Sequence, residues 1–242
     1  MKNTIRIDSG NVKMVAHRGL SGIELENTAS AFVAAGNRSY FGIETDVHRT
    51  ADGQFVVFHD DNTRRIGGDS MVIEETTYET LRSLRLLDKD GKRGRNDLRI
   101  ASLPEYTQIC KKYGKISVLE LKNHFEPADI DRIIALIREE GWLEETIFIS
   151  FDITNLVYLR SVLPEQKAQF LAGVNDLTDE VMAVVRENRL DLDLYFQGVT
   201  KEFVDGLHAE GIELNVWTVD DPEAAAQLVE CGVDYITSNI LE

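Results

Sequence analysis

Two histidines each end a short apolar run, the position at which a strand would deliver a side chain to the edge of a parallel sheet. His17 ends the run Met14–His17, and His59 ends the run Phe55–His59. Histidine has an unperturbed pKa of about 6.5, which suits it to take and give protons near neutral pH. The pair therefore indicates acid–base chemistry, in which one imidazole takes a proton from a nucleophile and the other gives one to a leaving oxygen.

Acidic side chains recur at two further strand-like runs. Glu44 and Asp46 lie in the run Gly42–Val47, and Glu120 lies two residues before Lys122 in another. Side chains two apart on a strand point to the same face, so each pair shares a face. Three carboxylates that converge at strand ends suit a hard divalent cation with oxygen ligands, Mg²⁺ or Ca²⁺. We therefore expect one divalent metal ion, bound by Glu44, Asp46 and Glu120.

Two basic residues beside these acids are suited to bind a phosphoryl group. Arg18 follows His17, and Lys122 follows Glu120 on the same face. The formal net charge of −16 argues against nucleic acid and against stable association with an anionic membrane. Distant acids are screened over about 10 Å, so these local cations can still bind an anion. The expected partner is a small molecule, and the sequence gives no oligomeric state.

Length and composition favour one globular domain. The 242 residues match an α/β barrel, which typically has about 250. The chain begins without an apolar core of signal-peptide length and lacks the roughly 20 apolar residues of a membrane span. We therefore predict a cytoplasmic protein. Cys110 and Cys231 lie in separate helix-like segments and are interpreted as reduced core thiols.

Strand-like runs alternate with amphipathic stretches of helical length, which predicts a TIM (β/α)8 barrel. An open doubly wound sheet, the alternative, would carry a Gly-rich phosphate loop after its first strand, and 17–22 does not fit that fingerprint. The predicted strands are Met14–His17, Gly42–Val47, Ser117–Leu121, Thr146–Phe151, Gln169–Val174, Asp193–Gly198, Glu213–Val219 and Tyr235–Ser238. The predicted helices are Asn27–Ala35, Pro104–Tyr113, Ala128–Glu140, Thr154–Val162, Asp179–Asn188, Glu202–Ala209 and Pro222–Cys231.

The run Phe55–His59 is predicted to lie outside the barrel. Asp52-Gly53 is a two-residue hairpin signal, and pairing about it would set His59 opposite Asp46. The second strand would then pass the barrel rim and turn back. The charged segment 62–100 is interpreted as an insertion over the barrel mouth, so that 1–242 forms a single domain.

Six short motifs occur in a fixed order: His17-Arg18-Gly19, Glu26-Asn27-Thr28, Glu44-Thr45-Asp46-Val47, Thr50-Ala51-Asp52-Gly53 with His59-Asp60, Glu120-Leu121-Lys122 and Val216-Trp217-Thr218-Val219. As a set they resemble the glycerophosphodiester phosphodiesterase family, and the match runs from about Met14 to Asn239. The resemblance implies a barrel with a small inserted segment that uses a divalent metal to cleave glycerophosphodiesters to sn-glycerol 3-phosphate and an alcohol.

The resemblance also implies a role for each matching residue, although it leaves open which histidine is the acid and which the base. The implied residues are Glu44, Asp46 and Glu120 for the metal, His17 and His59 for proton transfer, Arg18 and Lys122 for the phosphate, and Phe151 and Trp217 for the glycerol side. The end Ile236–Ile240 lacks the acidic residue and proline common in the family, which puts contacts from the last strand in doubt.

Two other functions are weighed against this one. A lysophospholipase D or phospholipase-like enzyme would favour an apolar rim, whereas the insertion is mostly charged apart from Met71-Val72-Ile73. A non-catalytic phosphate-binding barrel would have lost a histidine or a metal carboxylate, and none is missing. Arg64-Arg65 within the insertion is interpreted either as a rim contact for phosphate or as having no role, and the second interpretation is favoured. His48 is interpreted as a surface or packing residue, His124 either as a residue that reaches the mouth or as a loop residue, and His208 as a helix residue.

Overall fold

The computed structural model describes residues 3–242, and in that range eight parallel strands close into a barrel, which confirms the TIM (β/α)8 prediction. The first barrel strand pairs with both the second and the last, so the sheet has no open edge within the barrel. The strands are β1 Lys13–Ala16, β2 Gly42–Arg49, β3 Phe55–Val57, β4 Ala101–Ser102, β5 Ile116–Leu121, β6 Thr146–Ser150, β7 Ala168–Gly173, β8 Asp191–Tyr195, β9 Leu214–Trp217 and β10 Tyr235–Ser238. All but β3 and β4 belong to the barrel.

Helices lie between the barrel strands and cover the outside of the sheet, apart from α2 and α3, which lie between β3 and β4. They are α1 Ala29–Gly36, α2 Arg64–Gly67, α3 Tyr78–Ser83, α4 Leu103–Tyr113, α5 Pro127–Glu139, α6 Ile153–Val162, α7 Asp179–Glu187, α8 Lys201–Ala209 and α9 Pro222–Cys231. The predicted helices all occur, with small shifts at their ends. The first begins at Ala29 because Thr28, whose side chain accepts from the Ala31 N–H, is the cap, and Asn27 has a φ of 53°.

Alternation along the barrel strands divides the apolar residues between two layers. Outward-facing side chains pack under the helices, whereas Val15, Val118, Ile149 and Leu171 form a smaller cluster inside the barrel. This inner cluster fills the barrel below its carboxyl-terminal mouth. The mouth is therefore a shallow cavity with a packed floor rather than a pore.

The hairpin after β2 confirms that Phe55–His59 lies outside the barrel but corrects its predicted register by one residue. β3 pairs antiparallel with β2, Val47 opposite Val57 and Arg49 opposite Phe55, so Asp46 faces Phe58 rather than His59. The reason is a three-residue loop, 51–53, closed by hydrogen bonding between Thr50 and Gln54, with Gly53 at a φ of 73°. The chain leaves the strand after Val57, and this bend brings His59 to the mouth.

The segment between β3 and β4 builds an apolar cluster of its own. Ile66, Ile73, Leu81 and Leu98 are buried there against Val56 and other residues of the hairpin. The segment contains α2, α3 and a short 3-10 turn, Ile73–Glu75, and it returns to the sheet through β4, which pairs with β3. It is the predicted insertion after the second barrel strand, and its status within a single domain stays a prediction.

Both cysteines are free thiols, Cys110 buried in α4 and Cys231 half-buried at the end of α9. Among the described residues, no helix has the length and apolar content needed to cross a bilayer.

Two glycines in helices give a matched test of the packing. A Cβ on Gly36 would lie 2.5 Å from Cγ of Tyr113, whereas one on Gly206, exposed in α8, would meet nothing within 4 Å. Gly36→Ala should lower the free energy of unfolding by about 1–3 kcal/mol through overpacking. Gly206→Ala should raise it by roughly 0.5–1 kcal/mol through helix propensity. Urea unfolding of both variants measures this, and destabilisation by Gly206→Ala would contradict it.

Candidate active site

Three buried carboxylates meet at the carboxyl end of two neighbouring barrel strands. β2 carries Glu44 and Asp46, and β5 carries Glu120, which pairs in register with Asp46. The three side chains are buried, and one oxygen of each lies within 4.8 Å of the others. The strand alternation read from the sequence thus brings together the residues predicted to bind a metal.

Two cations border this cluster. Lys122 Nζ lies 3.0 Å from Glu120 Oε1 and 3.5 Å from Asp46 Oδ1. The backbone N–H of Arg18 donates to Glu44 Oε2 at 2.7 Å, and its guanidinium Nε lies 3.8 Å from Asp46 Oδ2. Burial would raise the pKa of Asp46, but Lys122 and Arg18 together hold that pKa below its usual range.

The carboxylates fit a divalent cation in their chemistry as well as in their spacing. Burial and repulsion by Asp46 raise the pKa values of both Glu44 and Glu120. Asp46 Oδ1 is buried and accepts no hydrogen bond from the described residues. These like charges repel one another out of water, and one of their oxygens accepts no hydrogen bond. A further positive charge would therefore stabilise the cluster. Asn27 supports the cluster, because its Nδ2 donates to Asp46 Oδ2 at 2.7 Å.

The first histidine is held in one tautomer by the last strand of the barrel. His17 Nδ1 lies 2.8 Å from Asn239 Oδ1, and Asn239 Nδ2 donates to Asp220 Oδ2 at 2.6 Å. That second bond fixes the amide with its oxygen towards His17, so Nδ1 carries the proton and Nε2 is free to accept one. Burial, and then the charge of Arg18, lowers the pKa of His17 to about 4. The imidazole is therefore neutral at neutral pH.

The second histidine is oriented by a carboxylate instead. His59 Nδ1 donates to Asp60 Oδ1 at 2.7 Å, which leaves Nε2 as the other reactive nitrogen. Burial lowers the pKa of His59, while Asp46 and Asp60 oppose that shift. A carboxylate that accepts a hydrogen bond from Nδ1–H stabilises the imidazolium form of a histidine.

A cavity of about 250 Å³ joins these groups to an aromatic wall. Phe151, which is 52% exposed, packs edge-on against Trp217 at a centroid distance of 5.7 Å. One half of the cavity is charged and the other apolar, an arrangement suited to a small ligand with one phosphate and one carbon skeleton. The predicted site residues that line it are His17, Arg18, Glu44, His59, Glu120, Lys122, Phe151 and Trp217, and Asp46 lies behind them.

The structure also identifies site residues that the sequence did not single out. Asn239 contacts His17 although the chain end lacks the acidic and proline residues common in the family, so the last strand does reach the site. The sequence signal for Asn239 is its position directly after the last strand, which corresponds to the position of His17 after the first strand. Asp193 lines the cavity as a buried acid, with no sequence signal of its own.

The three other histidines, His48, His124 and His208, do not line the cavity. They contact Glu74, Asp152 and Asp234, respectively.

Comparisons with known proteins agree with this geometry. The model of the glycerophosphoryl diester phosphodiesterase family matches residues 17–241. A glycerophosphodiester phosphodiesterase of Caldanaerobacter subterraneus is 28% identical over 93% of each chain.

Solved structures are similar over nearly the whole chain. A glycerophosphodiester phosphodiesterase from Parabacteroides distasonis, 27% identical, superposes with a TM-score of 0.77 over 95% of this chain and 93% of that one. An Oleispira antarctica phosphodiesterase, 23% identical and solved with the product sn-glycerol-3-phosphate, has the same fold, with a TM-score of 0.82 over 98% and 96% of the two chains.

The buried His17 should make stability depend on pH. Its pKa of about 4 in the folded chain lies below the ordinary 6.5. As the pH falls below 6.5, His17 therefore becomes protonated in the unfolded chain but not in the folded chain, and the free energy of unfolding decreases. Between pH 7 and pH 5 this should remove about 1–2 kcal/mol of unfolding free energy. Urea unfolding in the presence of chelator should show a smaller loss for His17→Gln than for the unaltered chain. An equal loss in both proteins would contradict the assignment.

Proposed function

Because the chain belongs to the glycerophosphoryl diester phosphodiesterase family, we propose that it hydrolyses small glycerophosphodiesters to sn-glycerol 3-phosphate and an alcohol. The observation that carries the proposal is one cavity that joins three carboxylates, two cations and two imidazoles to an aromatic wall. The relatives named as phosphodiesterases align with nearly the whole chain, which supports the same reaction class here.

Glu44, Asp46 and Glu120 would hold one divalent metal ion, Mg²⁺ or Ca²⁺. When bound, such an ion would neutralise charge that develops on the phosphate oxygens. Arg18 and Lys122 border the same carboxylates and would bind the remaining phosphate oxygens through charged hydrogen bonds. These two side chains would fix the phosphorus between the histidines.

His17 is the better candidate for the general base and His59 for the general acid. His17 is neutral because burial and the charge of Arg18 lower its pKa, and its Nε2 is free because Nδ1–H donates to Asn239 Oδ1. It would remove a proton from the attacking water as the new P–O bond forms. His59, stabilised as an imidazolium by Asp60, would protonate the alcohol oxygen as its bond to phosphorus breaks.

Phe151 and Trp217 would bind the glycerol side of the substrate. Their edge-to-face packing presents apolar ring surface to the cavity, and carbon-bound hydrogens of glycerol can pack on it. Their position opposite the charged groups sets the direction in which the substrate lies. The cytoplasmic location expected from the sequence stays a prediction.

Product formation tests the reaction directly. The protein should release glycerol 3-phosphate from glycerophosphocholine, glycerophosphoethanolamine or glycerophosphoglycerol when Mg²⁺ or Ca²⁺ is present, and a chelator should abolish release. Glu44→Gln should lose activity that excess metal partly restores, because a neutral amide binds the cation less well. Glu165→Gln, which alters a side chain 85% exposed, is the matched control and should behave as the unaltered chain. Full activity with chelator would refute the metal site.

Removal of either imidazole tests proton transfer. His17→Ala and His59→Ala should each lower kcat by about 10²- to 10⁴-fold, the usual contribution of a general acid or base. The deficit of His59→Ala should shrink for a p-nitrophenyl ester of glycerol 3-phosphate, because that leaving group needs no protonation, whereas the deficit of His17→Ala should persist. His208→Ala, which removes the partner of Asp234 outside the cavity, is the control. Reversed leaving-group behaviour would exchange the two roles.

A further inference from the structure

Arg65 of the inserted segment lies between two carboxylates that each hold a residue of the proposed site. Its Nη1 and Nη2 donate to Glu26 at 2.8 and 2.7 Å. Its Nε and Nη2 donate to Asp60 at 2.8 and 2.9 Å. One guanidinium thus makes two bidentate pairs, the arrangement in which arginine binds carboxylates most strongly. The sequence had suggested no role for this residue.

Both carboxylates continue directly into the site. Glu26 Oε1 also accepts from Arg18 Nη1 at 3.0 Å, and Asp60 Oδ1 accepts from His59 Nδ1 at 2.7 Å. Burial would raise the pKa of Asp60, yet its bonds from Arg65 and His59 lower that pKa to about 2. The path Arg18–Glu26–Arg65–Asp60–His59 is therefore an unbroken series of hydrogen-bonded ion pairs.

We propose that Arg65 is a positioning residue for catalysis, which sets the phosphate-binding Arg18 and the proton-transferring His59 at a fixed separation. It does so without touching the substrate, since Glu26 and Asp60 lie between it and the cavity. The inference rests on the proposed function, because it assigns Arg65 a part in that reaction. It also gives the inserted segment a catalytic purpose beyond covering the mouth.

The geometry favours positioning over simple surface charge pairing. An exposed ion pair contributes little to stability, and Arg65 is 44% exposed, so its contribution to folding should be small. Its carboxylate partners are more buried, Glu26 at 17% and Asp60 at 25% exposure, and both have a second partner in the site. A lysine would supply the charge, but its compact ammonium group cannot form bidentate pairs with both Glu26 and Asp60.

Neighbouring arginines supply the matched comparison. Arg64 precedes Arg65 in α2, is exposed, and its guanidinium has no hydrogen bond or ion pair with the residues that the structure describes. Arg64→Ala and Arg65→Ala therefore remove the same charge from the same short helix. Arg65→Lys keeps the charge and the side-chain stem, and it replaces Arg65→Ala in the comparison if thermal unfolding shows that the alanine variant is not folded.

Steady-state kinetics with glycerophosphocholine measures the effect. Arg65→Ala should lower kcat by about 10- to 100-fold, the usual loss when an outer partner of a site residue is removed. KM should rise as well, because Arg18 loses its fixed orientation. Arg65→Lys should recover less than half of the lost activity, and Arg64→Ala should match the unaltered chain. Equal kinetics for Arg64→Ala and Arg65→Ala, or full activity in Arg65→Lys, would overturn the proposal.

A measurement without turnover separates this proposal from the proposed function. At a pH that keeps the His59 ring neutral, its nitrogen chemical shifts should show a single tautomer protonated at Nδ1 in the unaltered chain and in Arg64→Ala, and mixed tautomers in Arg65→Ala. If no glycerophosphodiester is cleaved under any metal condition, the proposed function fails, yet these shifts still report on Arg65. An unchanged single tautomer in Arg65→Ala would refute the positioning role.

Discussion

Crowding of negative charge at the barrel mouth is the constraint around which this structure is arranged. Glu44, Asp46 and Glu120 lie within 4.8 Å of one another and out of water, where like charges repel strongly. Lys122 and Arg18 offset part of that repulsion from opposite sides. The negative charge that remains is suited to a small cation of high charge, which we propose these carboxylates bind. These converging positive groups would let an anionic substrate enter a chain of net charge −16.

The two histidines show how one residue type acquires different properties from its partner. His17 is held by the neutral amide of Asn239, and burial keeps its ring uncharged. His59 is held by the carboxylate of Asp60, which favours the charged ring. The barrel brings these partners from opposite ends of the chain, since Asn239 follows β10 and Asp60 follows β3. In the mechanism that we propose, the assignment of acid and base thus follows from the different partners of the two imidazoles.

Strand periodicity was enough to predict the barrel and to put Glu44, Asp46, Glu120 and Lys122 on one face, because alternation is a local property. The motifs then completed the set with Phe151 and Trp217, whose place on the cavity wall alternation alone did not decide. The hairpin register was wrong by one because Thr50 pairs with Gln54 about a three-residue loop, a choice that Asp52-Gly53 does not determine. The roles of Asn239 and Arg65 were not predicted because His17 and Glu26, with which they pair, lie 222 and 39 residues away in the chain.

The separate apolar cluster of the segment between β3 and β4 has a consequence for how the protein fails. Packing of Ile66, Ile73 and Leu81 is distinct from that of the barrel, so we expect this segment to open at a lower free energy than the whole chain. Opening of this segment would withdraw Arg65, while Glu44, Asp46 and Glu120 would stay in place on β2 and β5. Heat or mild denaturant would then lower the catalytic rate before the circular dichroism signal of the folded barrel is lost.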